Sequence, residues 1–256
     1  MLQAELAGHA IPEALSSEDY LTSAAFGLLK YVDSRGFWES VFRRAVCVGP
    51  TGERIPGRFR FTEYGRAEAL DISFWQRYDD AIPDLTVCFN GHDHPLVRVL
   101  IEVKLNAEKG DAGDPDLDQL VRYAKLAARL STTGAPTFLI FLTPGDPVPD
   151  IRETLDLLIK EPNAAARIFG LQWGDLHAAC LEACHGEATK TERQILSDVA
   201  TYLQKRNLDY FSGFHRVAFQ EFSPRSLLSL SGEPLFKRIR LPEITGIKRI
   251  VEHANE

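Results

Sequence analysis

Three charged side chains stand inside two apolar runs, where a folded chain usually places hydrophobic residues. Asp84 opens DLTVCF, and Glu102 and Lys104 lie within VRVLIEVKL. Charged groups are seldom buried unless they are paired or bind a metal ion. Carboxylate oxygens are the ligands that Mg²⁺ and Mn²⁺ prefer, and an ammonium group beside them can stabilise negative charge on a substrate. These residue types therefore indicate a site for metal-assisted chemistry.

The hairpin that joins the two runs predicts how the three side chains meet. With GHDHP as its loop, Asn90 faces Leu96 and, in the same register, Asp84 faces Glu102. Directly opposed residues of an antiparallel pair share a sheet face, with their side chains about 5 Å apart. Lys104 shares the face of Glu102 because side chains alternate along a strand. The register thus predicts two carboxylates and one ammonium group at one edge of a sheet.

The same residues allow two other interpretations. Lys104 could neutralise Asp84 and Glu102 as a buried ionic cluster, although such clusters contribute little to stability. A divalent ion relieves the repulsion between two carboxylates better. Asp71, in the strand-like run ALDISFW, could be the first carboxylate if the register differs from the one above.

Two further groups of ligand-type side chains are expected to be incidental. His92, Asp93 and His94 fall in the hairpin loop, which should be exposed. Cys180, Cys184 and His185 lie close together, but no second ligand pair follows them at the spacing of a zinc site. We expect neither group to bind a metal ion.

Helical and strand-like segments succeed each other in the first half of the chain. The spacing of apolar residues predicts a helix over 16–32, with Ser16 as its N-terminal cap. Strand-like runs follow in VFRRAVCV, RFRFTEY, ALDISFW and DLTVCF. After the strand VRVLIEVKL we expect a helix over 116–130 that is capped by Asp114. The apolar run PTFLIFLTP then predicts a strand covered on both faces.

The later part of the chain is mainly helical. Helices are predicted over 151–160, 174–184 and 190–206, with a short strand near RIFGLQW. A strand, a helix and another strand in succession usually form a right-handed crossover between parallel strands. The order of elements therefore predicts an α/β fold with a mixed sheet and helices on both of its faces.

Composition and charge place the chain among globular proteins without a membrane segment. Of its 256 residues 45% are hydrophobic and 25% charged, and no apolar run is long enough to span a bilayer. The N-terminal residues lack a signal-peptide pattern, so we expect a cytoplasmic protein. The net charge of −7 argues against a general polyanion-coating protein. Arg58 and Arg60 alternate with phenylalanines and could contact phosphates or solvent equally well.

Two short motifs resemble the signature of a known family. Pro83-Asp84 and Glu102-Val103-Lys104, joined by a hairpin and followed by a helix, resemble the motif of the PD-(D/E)XK nuclease superfamily, which includes restriction-type endonucleases and RecB-like nucleases. Gln119 and Tyr123 resemble the Q-x-x-x-Y pattern of many RecB-like members. EDYLT resembles the first core helix of some bacterial members, and the resemblance covers roughly residues 16–145.

The resemblance implies a fold and a division of the chain. Residues 1–145 would form a restriction-endonuclease-like core, with a mixed central sheet flanked by helices. Residues 146–256 would form a mainly helical C-terminal extension that packs on this core, and a single domain is the alternative. A homodimer, or a protein partner that binds the C-terminal part, is compatible with this organisation.

The resemblance also assigns roles to individual residues. Asp84, Glu102 and the carbonyl group of Val103 would bind Mg²⁺ or Mn²⁺. Glu18 would contribute to the metal shell, although an acid near a helix N-terminus is also favourable without a metal ion. Lys104 would orient or activate the attacking water.

Gln119 would face the active site from the following helix, with Tyr123 one turn further along the same face. The alternative is that Tyr123 packs in the core and Gln119 merely begins the helix. The implied activity is hydrolysis of phosphodiester bonds, with DNA favoured over RNA as the substrate. The implied roles are restriction, repair or defence against phage. The leading alternative is a member of this fold that binds nucleic acid or protein without cutting.

Overall fold

The computed structural model describes residues 17–33, 35–49, 53–56, 67–79, 81–105, 118–186 and 188–209. All of them lie in the first of two compact units, Met1–Phe211 and Ser212–Glu256. The helices are α1 (Glu18–Leu29), α2 (Arg35–Arg43), α3 (Gln119–Thr133), α4 (Val148–Leu157), α5 (Pro162–Ala165), α6 (Trp173–Cys184) and α7 (Lys190–Lys205). The strands are β1 (Val46–Val48), β2 (Arg54–Pro56), β3 (Ala69–Phe74), β4 (Leu85–Asn90), β5 (Pro95–Val103), β6 (Thr137–Thr143) and β7 (Ile168–Gln172).

The described strands form one mixed sheet in the order β2-β1-β7-β6-β5-β4-β3. β5, β6 and β7 run parallel to one another, and the other neighbouring pairs are antiparallel. Helix α3 connects the parallel strands β5 and β6, as the succession of strand, helix and strand predicted. The expected α/β class with a mixed sheet is therefore confirmed.

Helices cover both faces of the sheet, so the central strands are buried on both sides. Val99 and Ile101 of β5 pack in one hydrophobic core with α1, α2, α6 and α7. Leu100 lies in a second core with α3, α4 and α5. Strand β6 is almost entirely buried, which confirms the prediction of a strand covered on both faces. Glu102 has the same parity as Leu100 and therefore belongs to the face that α3 covers.

Two predicted helix starts were wrong by a few residues. The N-cap of α1 is Ser17, whose side chain accepts a hydrogen bond from the backbone N–H of Tyr20, and Ser16 lies outside the described residues. Helix α3 begins at Gln119, because the buried side chain of Asp118 accepts from Val121 N–H and caps the helix. The expected cap, Asp114, also lies outside the described residues.

The strand-like interpretation of VFRR was wrong, because its first three residues end helix α2 and Arg44 lies in the turn that follows. Phe37, Trp38, Val41 and Phe42 are buried at the spacing of one helical face. Trp38 stacks on Phe42 with ring centroids 5.8 Å apart, and both rings contact Phe89 of β4. The following VCV does form a strand, and RFRFTEY, with Arg58 and Arg60, lies outside the described residues.

The sheet uses residues on both sides of position 145, the expected end of the core. β7, at Ile168–Gln172, lies between β6 and β1, and α6 and α7 follow it as predicted. The division at 145 stays a prediction, as does a C-terminal extension that packs on the core. Within the described ranges no helix is both long and apolar enough to cross a membrane.

Candidate metal centre

The hairpin of β4 and β5 has the predicted register along most of its length. Leu85 pairs with Ile101, Val87 with Val99, and the intervening pairs follow the same order. The prediction fails only at the loop, where a bulge pairs Asn90 with Pro95 instead of Leu96. The ladder ends at Leu85, so Asp84 stands immediately before the strand. One step further in the same register, Asp84 stands opposite Glu102, but the two residues are not paired in the ladder.

The carboxylate of Asp84 is held by the backbone of the neighbouring strand. Its Oδ2 accepts a hydrogen bond of 2.8 Å from the N–H of Val103. The carbonyl oxygen of Asp84 accepts from Trp75 N–H on the other side, at 3.0 Å. The residue is thus fixed by its main chain toward β3 and by its side chain toward β5. This arrangement aims the carboxylate at the end of β5.

Pro83 explains why a side chain takes this place in the ladder. Two residues beyond the pair of Leu85 and Ile101, the register places Pro83 opposite Val103. In an extended strand the N–H and C=O of one residue point toward the same neighbour, and Val103 N–H points toward Asp84. The carbonyl group of Val103 therefore points the same way, and Pro83 has no N–H to donate to it. Strand geometry thus directs a backbone oxygen toward the side on which Asp84 lies.

Glu102 and Lys104 form a short ion pair at the end of β5. Lys104 Nζ lies 2.9 Å from Oε1 of Glu102 and 3.4 Å from Oε2 of Glu18 in the first turn of α1. Glu102 is only 1% exposed, whereas Lys104 and Glu18 are partly exposed. The second oxygen of Glu102, Oε2, is buried and accepts no hydrogen bond from any residue in the described ranges. The ion pair therefore leaves one buried carboxylate oxygen available.

Burial and mutual repulsion determine the protonation of the carboxylates. Burial, and next the nearby charge of Asp84, raise the pKa of Glu102 to about 8 against the opposing effect of Lys104. Burial also raises the pKa of Asp84, although the hydrogen bond from Val103 and the charge of Lys104 oppose the rise. Burial lowers the pKa of Lys104, but Glu102 and the other carboxylates outweigh this effect and leave it raised. The centre thus carries more acid groups than one ammonium group can balance.

Trp173, the first residue of α6, fixes the backbone of the lysine. Its indole Nε1 donates a hydrogen bond of 3.2 Å to the carbonyl oxygen of Lys104, and Lys104 N–H donates to Leu142 of β6 at 2.8 Å. The side chain of Trp173 is fully buried and its ring packs near Phe26. No local pattern in the sequence marks this contact, because it joins positions 69 residues apart.

Gln119 and Tyr123 lie on one face of α3, as predicted, and contact each other. Gln119 Nε2 donates to the Tyr123 hydroxyl at 3.1 Å, and that hydroxyl donates to the carbonyl oxygen of Ile82 at 2.8 Å. Burial, and next Glu102, raise the pKa of Tyr123, so its hydroxyl lies within the field of the carboxylates. The hydrogen bond of Gln119 therefore leads to the centre through Tyr123, and a catalytic role for Gln119 stays a prediction.

The alternative candidates lie apart from this centre. Asp71 is exposed on β3 and accepts a hydrogen bond of 2.6 Å from Asn90. It lies four residues from Trp75, the β3-side neighbour of Asp84, which corresponds to about 13 Å along a strand. His92, Asp93 and His94 are exposed in the hairpin loop, as expected. Cys180 is fully buried and Cys184 half-buried in α6.

The donor set suits a small divalent cation. Among the described residues, no three His, Cys, Asp or Glu side chains come together as a metal cluster. The groups at the end of β5 that could hold a cation are instead two carboxylates and one backbone carbonyl, all of them oxygen ligands. The unused buried oxygen of Glu102 and the surplus of acid groups both favour a cation at this place. Comparisons with family models, curated proteins and solved structures gave no match to this chain.

Proposed function

We propose that the chain is a metal-dependent nuclease of the PD-(D/E)XK type, with a restriction-endonuclease-like core, that hydrolyses phosphodiester bonds in DNA. The observation that carries the proposal is the arrangement at the end of β5. There the buried Glu102 lies 2.9 Å from Lys104, and Asp84 is bonded to the backbone between them. A purely structural ion pair needs only one carboxylate, whereas this centre places two beside the lysine, Glu102 buried and Asp84 half-buried.

Asp84, Glu102 and the carbonyl group of Val103 would hold Mg²⁺ or Mn²⁺. Such an ion lowers the pKa of a bound water and neutralises charge on the phosphate. Glu18 is 3.4 Å from Lys104 and so contacts the lysine. A metal-binding role for Glu18 stays a prediction.

Lys104 supplies a fixed positive charge beside the carboxylates. Its ammonium group is held by Glu102 and Glu18, and its backbone by Trp173. A charge that is oriented before the substrate arrives needs no reorganisation when negative charge develops on the phosphate. The three contacts therefore support a role for Lys104 in stabilising that charge and in orienting the attacking water.

Cleavage assays on plasmid, linear and single-stranded DNA test the proposal. Wild-type protein should cut with Mg²⁺ or Mn²⁺, and EDTA should stop the reaction. Asp84→Asn and Lys104→Met should abolish cleavage while the circular dichroism spectrum stays unchanged. Asp71→Asn and Lys125→Met are matched controls, because both side chains are at least partly exposed outside the centre and should leave cleavage intact. Cleavage that persists in the first two variants would rule out this site.

Calorimetry with Mn²⁺ separates the two alternatives. A silent member of the fold would bind Mn²⁺ through Asp84 and Glu102 without cutting DNA. A buried ionic cluster would be folded and would bind no divalent ion at all. RNA as the substrate, a homodimer, a protein partner at residues 146–256, a cytoplasmic location and a role in phage defence stay predictions.

A further inference from the structure

Two adjoining surface pockets form a groove beside the candidate centre. Their volumes are about 380 Å³ and about 340 Å³, and they share three lining residues. The groove runs between α3 and the connection from β3 to β4. We call it the arginine groove, and the lining residues that matter are Arg77, Tyr78, Asp79, Arg122, Tyr123 and Arg129.

One end of the arginine groove is lined by Ile82 and Tyr123, close in sequence or contact to Asp84. Tyr123 lines the first pocket, and its hydroxyl bonds to Ile82, which stands two residues before Asp84. The charges of Glu102, Asp84 and Arg122 all act on this hydroxyl. Tyr123 therefore links the first pocket to the segment that carries Asp84.

The described lining residues of the groove include three arginines. Asp79 is its one acid among the described lining residues, and it lies 3.7 Å from Arg129 in an exposed pair. Exposed pairs of this kind contribute little and exchange easily with other partners. Within the described ranges, neither Arg77 nor Arg122 has a carboxylate partner. Two guanidinium groups of the groove are thus not paired with a carboxylate of the described residues, in a chain whose net charge is −7.

Arg122 gives a second, independent indication of a ligand. Its Nε is buried and has no hydrogen-bond partner among the described residues. A buried N–H of this kind usually has a partner, and a bound anion is one explanation for the exception. Arg122 and Arg129 also lie seven residues apart on α3, about 10 Å along one face. The spacing suits successive contacts with an extended chain.

We propose that Arg77 and Arg122 bind a phosphate group of the nucleic-acid strand next to the phosphate that is cut. The proposal rests on the nuclease function above, because a nucleic-acid strand bound at the carboxylate centre is what would bring a phosphate group to the groove. Guanidinium groups bind phosphate oxygens in a bidentate manner, and such contacts fix the position of a strand without reading its sequence. The groove would therefore set the register of the strand on the centre and would not select bases.

The test measures binding separately from cleavage. A short fluorescein-labelled oligonucleotide is titrated with full-length Asp84→Asn protein that also carries Arg77→Ala or Arg122→Ala, and its fluorescence anisotropy is followed. Each arginine change should weaken binding about tenfold and reduce the salt slope by about one. Arg193→Ala is the matched control, because this exposed arginine lies on α7 at the opposite face of the sheet. Arg122→Lys should restore part of the affinity, and melting curves verify folding.

Kinetics in the otherwise wild-type protein give the second readout. Arg77→Ala and Arg122→Ala should raise KM and leave kcat at saturating DNA nearly unchanged. Oligonucleotides with and without a 5′-phosphate show whether the bound group is terminal or internal, since only a terminal site loses its arginine effect with the hydroxyl form. Wild-type affinity and salt slope in both arginine variants would overturn the groove.

The same experiments separate failure of the groove from failure of the function. Arginine-dependent binding without cleavage in any divalent ion would leave the groove intact and refute the nuclease. Cleavage that depends on neither arginine would refute the groove and leave the nuclease function intact. Arginine-dependent binding of a polyglutamate peptide in place of the oligonucleotide would overturn the phosphate assignment.

Discussion

Asp84 Oδ2 accepts a hydrogen bond from the backbone N–H of Val103, one residue beyond Glu102 and at a distance of 2.8 Å. This bond ties the two halves of the charged centre together across the open end of the hairpin. It places a carboxylate where the ladder would otherwise continue with Pro83, and it leaves the Val103 carbonyl directed at the same space. The centre is thus a consequence of how β4 begins and β5 ends.

Asp84→Asn should separate folding from metal binding. The asparagine oxygen can still accept from Val103, while the charge that burial and neighbouring acids oppose is removed. We therefore expect the metal-free variant to melt at a higher temperature than the wild type at pH 8, a gain that is typical of residues kept for function. Addition of Mn²⁺ should raise the melting temperature of the wild type only. An equal Mn²⁺ response in both proteins would contradict a metal at Asp84.

The stability of the metal-free protein should fall as the pH rises from about 5 to about 8. The pKa of Glu102 is about 8 in the folded protein and 4.5 without the effects of folding, so in this range the folded state holds the additional proton. Stability then decreases with pH. One pKa unit corresponds to about 1.4 kcal/mol, so the decrease should reach a few kcal/mol. Asp84 contributes in the same direction because its pKa is also raised.

Urea unfolding at several pH values, in EDTA and in saturating Mg²⁺, measures this effect. A bound cation favours the ionised carboxylates, so Mg²⁺ should remove the decrease or reverse it. In EDTA, Glu102→Gln should reduce the decrease of unfolding free energy with pH to the contribution of Asp84. A wild-type curve that rises with pH in EDTA would show that Glu102 is ionised throughout the range.

Lys104→Met should abolish cleavage and keep Mn²⁺ binding. Loss of the ammonium group removes a charge that favours ionisation of Glu102, and leaves both carboxylates to the metal. Removing one preorganised charge of this kind typically lowers kcat by about 100-fold or more. Single-turnover cleavage and calorimetry measure the two quantities separately. Lys125 lies elsewhere on α3 and forms an ion pair with Glu161. Lys125→Met breaks this pair and should change neither kcat nor Mn²⁺ binding.

Much of the centre could be predicted from the sequence because the hairpin register follows from local patterns. Alternating valines and isoleucines fix which residues face each core, and this parity places Glu102 opposite the continuation of β4. The bulge at Asn90 was missed, since it depends on how the exposed loop closes. Helix α2 was missed although its apolar spacing is helical, because VFRRAVCV as a whole resembles a strand.

The contacts that complete the centre could not be predicted from local patterns. The contact of Trp173 with Lys104 depends on the place of β7 in the sheet, and that of Tyr123 with Ile82 on the packing of α3. The cap of α3 depends on which of several aspartates the loop brings into place, and the sequence offers four between 111 and 118. Long-range packing determines each of these contacts, so local sequence patterns do not predict them.

Tyr123→Phe should weaken the support of Asp84 and lower cleavage without abolishing it. The hydroxyl donates to Ile82 and accepts from Gln119, so the change removes both bonds. We expect a loss of about 1 kcal/mol in the free energy of unfolding and a severalfold weaker Mn²⁺ affinity, because the segment that carries Asp84 is less fixed. Gln119→Ala removes only one of the bonds and should have a smaller effect on stability.

If Gln119 itself acts on the substrate, Gln119→Ala will instead lose cleavage with unchanged stability. The variant that carries both Gln119→Ala and Tyr123→Phe will then show additive losses in rate. Tyr202→Phe, on α7 in the opposite core, is the matched control for removal of a buried phenol. Wild-type Mn²⁺ affinity in Tyr123→Phe would show that the bond to Ile82 does not position the metal ligand.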